Sequence, residues 1–197
     1  MYRLSAQDNG LYFFYDRPDV KRCQVCRALL SKWEEDLACI PIVKPPKYDA
    51  SYSYDGVLVV TERFRESVEA RGITGLEFRP LQGHVFAARS SMSVQFDAVQ
   101  RGTRFMKQCD TCGQYESVVG ATPVYLLSGE AIPKRGFVRT DLEFGSSDEK
   151  SPVELCGDEV ARELQKAGLR GVDLLPVKKE GNAGNKTKKL SRPRIRD

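Results

Sequence analysis

Two cysteine pairs are the residues of this chain best suited to chemistry, Cys23-Gln24-Val25-Cys26 and Cys109-Asp110-Thr111-Cys112-Gly113. A CxxC spacing sets two thiolates on one side of a tight turn, and two such turns supply the four soft donors that zinc takes tetrahedrally. Residues 27–108 separate the pairs, far more chain than the roughly 15–20 residues inside a compact zinc ribbon. A site built from both pairs therefore closes a domain rather than a finger. Four thiolates leave no coordination position for a substrate, so the expected zinc is structural. Lys21, Arg22, Arg27 and Lys107 flank the pairs and are expected to help keep the sulfurs ionised. The alternatives are a redox pair, a disulfide or unrelated buried thiols. A redox pair needs an exposed cysteine of low pKa, usually at a helix N-terminus, and the residues around Cys23 and Cys26 do not demonstrate that setting.

Other chemistry has little to work with. The single histidine, His84, stands at the head of the apolar run Val85-Phe86 with no HExxH or HxE spacing around it, which reads as structural. There is no P-loop and no GxGxxG. Cys39 and Cys156 lie in or next to apolar segments and read as core thiols. Glu34-Glu35 and Asp148-Glu149 read as solvated. No catalytic residue is expected, and the chain is not read as an enzyme.

The elements that must position the cysteines are announced by an internal repeat. Residues 59–81 and 155–177 align at a constant offset of 96, pairing Gly72 with Gly168, Gly75 with Gly171 and Pro80 with Pro176. Phe64 pairs with Val160, Val68 with Leu164, and Ile73 with Leu169. Each copy parses as strand, helix, glycine turn, strand. In the first, Thr61 is the expected N-cap, Phe64 and Val68 share a buried face, Gly72 ends the helix in a left-handed conformation and Pro80 stops the strand. In the second, Asp158 is the expected cap. A GxxG backbone clamp for RNA is the other reading of residues 72–75 and 168–171, but each is followed directly by a strand and lacks flanking lysines.

Further strands are expected at residues 11–15, 84–88, 92–99, 105–106, 123–127 and 137–144. Tyr48, Tyr52 and Tyr54 are expected to pack in the core or at its rim. Pro41, Pro45 and Pro46 mark a loop. The whole is an α+β fold with few helices: one domain, residues 1–177, of two similar strand-helix-strand halves with mixed and antiparallel strands, joined by a four-cysteine zinc site.

The double CxxC layout, with the segment TERFRESVEARGITGLEF and its later echo, resembles the double-CXXCG immunity proteins of bacterial polymorphic-toxin systems, and residues 137–177 resemble related immunity families. The first knuckle departs from that pattern, with Arg27 in place of glycine. The resemblance spans residues 11–177. It implies metal ligation by Cys109 and Cys112, and by Cys23 and Cys26, in a small protein of the cytoplasm that binds and neutralises a toxin by direct contact.

Charge separates the body from the tail. From residue 178 onward, eight lysines and arginines face Glu180 and Asp197, a net +6 that leaves residues 1–177 at −2 of the overall +4. The basic stretch 178–197 reads as a disordered tail that could hold nucleic acid weakly, and a zinc-ribbon-like nucleic-acid binder using this tail and the tyrosines is the alternative function. No apolar run approaches the roughly 20 residues of a membrane span, and no secretory leader is seen at the N-terminus, so the expected location is cytoplasmic and no membrane partner is expected.

Overall fold

Residues 57–60 read Val-Leu-Val-Val and residues 85–88 read Val-Phe-Ala-Ala, apolar on both sides of a strand, and both faces are covered. The computed structural model describes residues 1–40 and 46–177; the prolines at 41 and 45 and the basic stretch 178–197 lie outside the described residues. Eleven strands form one mixed sheet: β1 (Tyr2–Asp8), β2 (Ala50–Tyr52), β3 (Leu58–Thr61), β4 (Leu76–Pro80), β5 (Val85–Ser90), β6 (Ser93–Val94), β7 (Arg104–Gln108), β8 (Tyr115–Val119), β9 (Phe137–Ser146), β10 (Ser151–Cys156) and β11 (Val172–Pro176). The order runs β4-β5-β3-β2-β1-β10-β9-β8-β7, with β11 pairing β1 and β6 pairing β9. Only β1 with β2 and β6 with β9 pair in parallel. The helices are α1 (Glu62–Ala70), the single turn α2 (Ala98–Arg101) and α3 (Asp158–Lys166). This is α+β with a mostly sheet core.

Period-two alternation decides what each face meets. Leu58 and Val60 point into a cluster with Phe64 and Val68 of α1 and with Val160 and Leu164 of α3. Val57 and Val59, one residue out of phase, pack with Val85 and Ala87 under Phe13 and Phe14 on the other face. A third cluster joins Val138 and Phe144 of β9 to Val153 and Leu155 of β10, with Val118 of β8 beside them.

Both copies of the repeat form the expected elements. Helices Glu62–Ala70 and Asp158–Lys166, and strands Leu76–Pro80 and Val172–Pro176, match residue for residue at the offset of 96. In each copy the two strands flank one antiparallel neighbour, β5 between β3 and β4, and β1 between β10 and β11. Thr61 accepts the Phe64 amide at 3.3 Å as the N-cap. Gly72 sits at φ +60, and the Ile73 amide returns to the Val68 carbonyl at 3.1 Å, closing the helix end. Both helices pack into the first cluster, and Arg63 of α1 donates to the carbonyls of Ala167 and Gly168 at the C-terminus of α3.

Several expectations need correction. Residues 11–15 are not a strand: the Phe13 and Phe14 amides donate to the buried carboxylate of Asp55, and Asp16 turns the chain at φ +55. Residues 92–99 hold only the two-residue β6 before α2, because Asp97 accepts the Gln100 amide at 2.8 Å and starts a helical turn. Residues 123–127 contribute one isolated bridge, Phe96 to Leu126. Asp158 is the first residue of α3 rather than its cap; Gly157 holds the cap position without a side-chain bond, and Asp158 instead pairs with the Met1 ammonium. His84 is exposed in a turn at φ +58. Cys39 is exposed, its thiol donating to the Asp36 carbonyl, whereas Cys156 is buried as expected. Glu35 is buried rather than solvated, where it accepts the Lys21 amide.

Two glycines of one copy separate two costs. An added Cβ at Gly72 meets open space, so Gly72→Ala carries only the left-handed penalty, about 1 kcal/mol. At Gly75, φ +88, the Cβ would lie 2.3 Å from the Phe137 carbonyl oxygen, so Gly75→Ala should cost about 3 kcal/mol or more. Urea unfolding of the two variants checks this, and equal losses would refute the account.

Candidate metal centre

The two knuckles are the same hairpin built twice. At Cys23 the amide donates to the Ala28 carbonyl at 2.9 Å and the Cys23 carbonyl accepts the Arg27 amide at 3.0 Å. At Cys109 the amide donates to the Gln114 carbonyl at 2.9 Å and the Cys109 carbonyl accepts the Gly113 amide at 2.8 Å. Each turn is closed by one antiparallel pair, Arg22 with Leu29 and Gln108 with Tyr115. Side chains repeat as well, since Arg22 donates to the Arg27 carbonyl at 3.0 Å and Gln108 to the Gly113 carbonyl at 3.2 Å. Arg27 lies at φ +63 and Gly113 at φ +73, so arginine takes the left-handed conformation that glycine takes in the other turn.

The hairpins bring all four sulfurs within 4.8 Å of one another, and no other such group of histidine, cysteine and acidic residues is found among the described residues. Sγ of Cys23 and Cys109 are 3.9 Å apart and those of Cys26 and Cys112 are 3.6 Å apart. A tetrahedron with metal–sulfur bonds of about 2.3 Å has edges of about 3.8 Å, whereas a disulfide needs about 2.05 Å. The spacing is that of ligands around one ion. Cys23 and Cys109 are buried, and Cys26 is exposed at the rim.

Backbone amides of the turns already favour thiolates. Those of Cys26 and Val25 hold the Cys23 thiol below its ordinary value, and those of Cys112 and Thr111 bring Cys109 down to about 6. Cys26 accepts a lowering hydrogen bond from Ala28, but desolvation and the three adjacent sulfurs push it up to about 12. Four sulfurs this close cannot all ionise unaided, and a central cation removes that conflict. Neighbouring cations contribute less than expected. Arg22 makes a two-pronged bond to Asp148, at 3.1 and 2.8 Å, and Lys107 pairs with Glu116 at 2.8 Å. Burial pushes the Cys156 thiol up to about 12, which keeps it protonated within the core.

A second layer locks the hairpins together, and sequence reasoning missed it. Gln114 Nε2 donates to the Leu29 carbonyl at 2.8 Å, directly across the seam. Asp148, in the short 3-10 turn Ser147–Glu149, takes Arg22. Lys32 Nζ donates to the carbonyls of Asp55, Asp148 and Lys150, three turns gathered by one ammonium. Aligning the knuckles at their offset of 86 marks Gln108 as the counterpart of Arg22; no sequence signal marks Lys32, whose partners are backbone oxygens. Beside the sulfurs opens a cleft of about 1040 Å3, lined in part by Tyr12, Tyr15, Val25, Arg27 and Glu149.

Fold and site together define an α+β protein with a mostly antiparallel sheet and a four-cysteine cluster that could hold a metal ion. No protein-family model matches the chain, and no curated protein matches its sequence. No helix among the described residues is long and apolar enough to cross a membrane.

Cys109→Ser should release bound metal and lower the melting temperature, as read by elemental analysis and thermal unfolding; full retention of metal would refute the ligand assignment. Arg27→Gly relieves a left-handed arginine and should stabilise the metal-loaded chain by about 1 kcal/mol. A lower urea midpoint for that variant would contradict the turn geometry.

Proposed function

We propose that the cluster holds a structural zinc ion and that the protein is an immunity protein, a non-enzymatic binder that neutralises a bacterial toxin by direct contact in the cytoplasm. The observation that carries this reading is that all four donors are cysteine sulfurs at tetrahedral spacing. With every position filled by protein, the metal holds the fold and the activity resides in the surface. The toxin partner rests on the resemblance of the double CxxC pattern and its repeat to the double-CXXCG immunity proteins. The matched hairpins and the matched strand-helix-strand units support a body of two similar halves joined at the zinc.

A contact surface suited to this role borders the metal centre. Tyr12 packs against Tyr54 with ring centroids 4.9 Å apart and against Tyr15 at 5.5 Å, and all three rings are exposed together with Val25. Clustered tyrosines bury large area at small entropic cost and recur as the anchors of protein interfaces.

The test is a pull-down from nuclease-treated native lysate at about 0.3 M salt, where exposed charge pairs are screened, using chains ending at residues 197 and 177. Both should retain one protein that stops growth when expressed alone, and co-expression of the present chain should restore growth. Tyr12→Ala or Tyr54→Ala should weaken retention at least ~10-fold with metal content unchanged. Recovery of nucleic acid alone, by the full chain alone and at low salt alone, would replace this reading with the nucleic-acid one.

A further inference from the structure

A second recess, of about 200 Å3, lies where residues 29–37 cover the sheet. Its apolar wall is formed by Leu29, Leu37, Val57 and Leu58, with Trp33 at the side. Its charged lining is Lys32, Arg89, Arg139 and Lys150 with Glu143 and Glu154; from outside the lining Glu77 pairs with Arg89, and Asp55 and Asp148 act on Lys32.

Lys32, Arg139 and Lys150 make their hydrogen bonds to neutral oxygens, whereas Arg89 pairs with Glu77 at 3.1 Å and lies over the Trp33 ring. Lys32 Nζ donates to three backbone carbonyls, and Lys150 Nζ donates to the Tyr115 carbonyl and to Gln114 Oε1, so both ammonium groups are fixed by neutral oxygens. Arg139 stands on β9 opposite Glu154 of β10; its Nε donates to the Ser90 carbonyl at 3.0 Å, while its terminal nitrogens have no hydrogen-bond partner among the described residues. Arg89 Nε is buried without a partner. Glu154 is fully buried and engaged by the Ser90 amide and hydroxyl; burial pushes its carboxyl up to about 7 and likewise lowers the Lys32 ammonium. Enclosed positive charge with an unused guanidinium fork favours a planar anion. The volume lies below the roughly 300–1,000 Å3 of drug-sized sites, so the anion is small.

We propose that this recess binds a small organic carboxylate, its carboxylate group on the Arg139 fork and its apolar body against Leu29, Leu37 and Val57. Lys150, fixed by neutral oxygens, supplies the surrounding positive field. Nothing in this site depends on the toxin-binding reading.

Trp33, the sole tryptophan, reports directly. Titration of the full chain with valerate should change Trp33 fluorescence saturably at one site per chain. Arg139→Gln should weaken valerate binding at least ~10-fold, Arg139→Lys should weaken it less, and Arg104→Gln on the exposed strand β7 should leave it unchanged. If Arg139→Gln fails to fold, Arg139→Lys decides, since it keeps the charge and loses the fork. Three results would overturn the proposal: no saturable change with valerate, an unchanged affinity in the folded Arg139 variant, or saturation by inorganic phosphate with none by valerate.

Discussion

Four sulfurs from two hairpins 86 residues apart meet within 4.8 Å of one another, and much of the molecule serves that convergence. Closing a loop of this length costs chain entropy that grows only slowly with its length, so a distant pair of ligands is not much dearer to bring together than a near one. The harder requirement is electrostatic. Thiolates packed this closely repel, and the Cys26 thiol is driven up while Cys109 is driven down. The amide-lined turns lower the cost of ionisation at Cys23 and Cys109, and a cation held among the sulfurs would balance what remains. The sheet contributes rigidity, because the second knuckle is the tip of the β7–β8 hairpin and the first is pinned to it through Gln114 and Leu29.

Buried polar groups do the rest of the positioning. Asp55 takes the amides of Phe13 and Phe14 together with the Ser53 hydroxyl, which seats two phenylalanines in the core from a segment with no strand pairing. Asp49 accepts from the Thr61 hydroxyl, from Arg63 and from the Arg170 amide, tying the start of α1 to the turn before β11. Lys32 gathers three carbonyls from turns far apart in the chain. Truncating one member of such a buried set leaves its partners desolvated and unpaired, which is why these contacts specify geometry out of proportion to their number.

A metal held by all four cysteines would have no position open to substrate, and on the proposed reading function lies in the surfaces and cavities around the cluster. The tyrosine group at Tyr12, Tyr15 and Tyr54 faces outward beside the knuckles, while the cationic recess under residues 29–37 faces inward. Both are bordered by the segment that carries the first CxxC, so metal binding by the cluster would bear on each of them.

The four-cysteine cluster, the repeat and its helix ends were legible in the sequence because each rests on local chemistry. CxxC spacing is a property of one turn, the Thr61 cap of one helix end, and the Gly72 stop of a single left-handed residue. The 96-residue offset carried the element bounds of α1, α3, β4 and β11 for the same reason. What escaped was decided by partners distant in the chain. Leu11 to Tyr15 has strand composition, yet Asp55 claims its amides; Asp158 has cap chemistry, yet Gly157 takes the cap; β1 became the strand between β10 and β11 with no signal marking it for that place. Arg27 shows the balance most plainly. Its residue type argues against a left-handed turn, and the hydrogen bonds and chain closure of the folded knuckle impose one, because tertiary contacts worth several kcal/mol outweigh a backbone preference of about 1 kcal/mol.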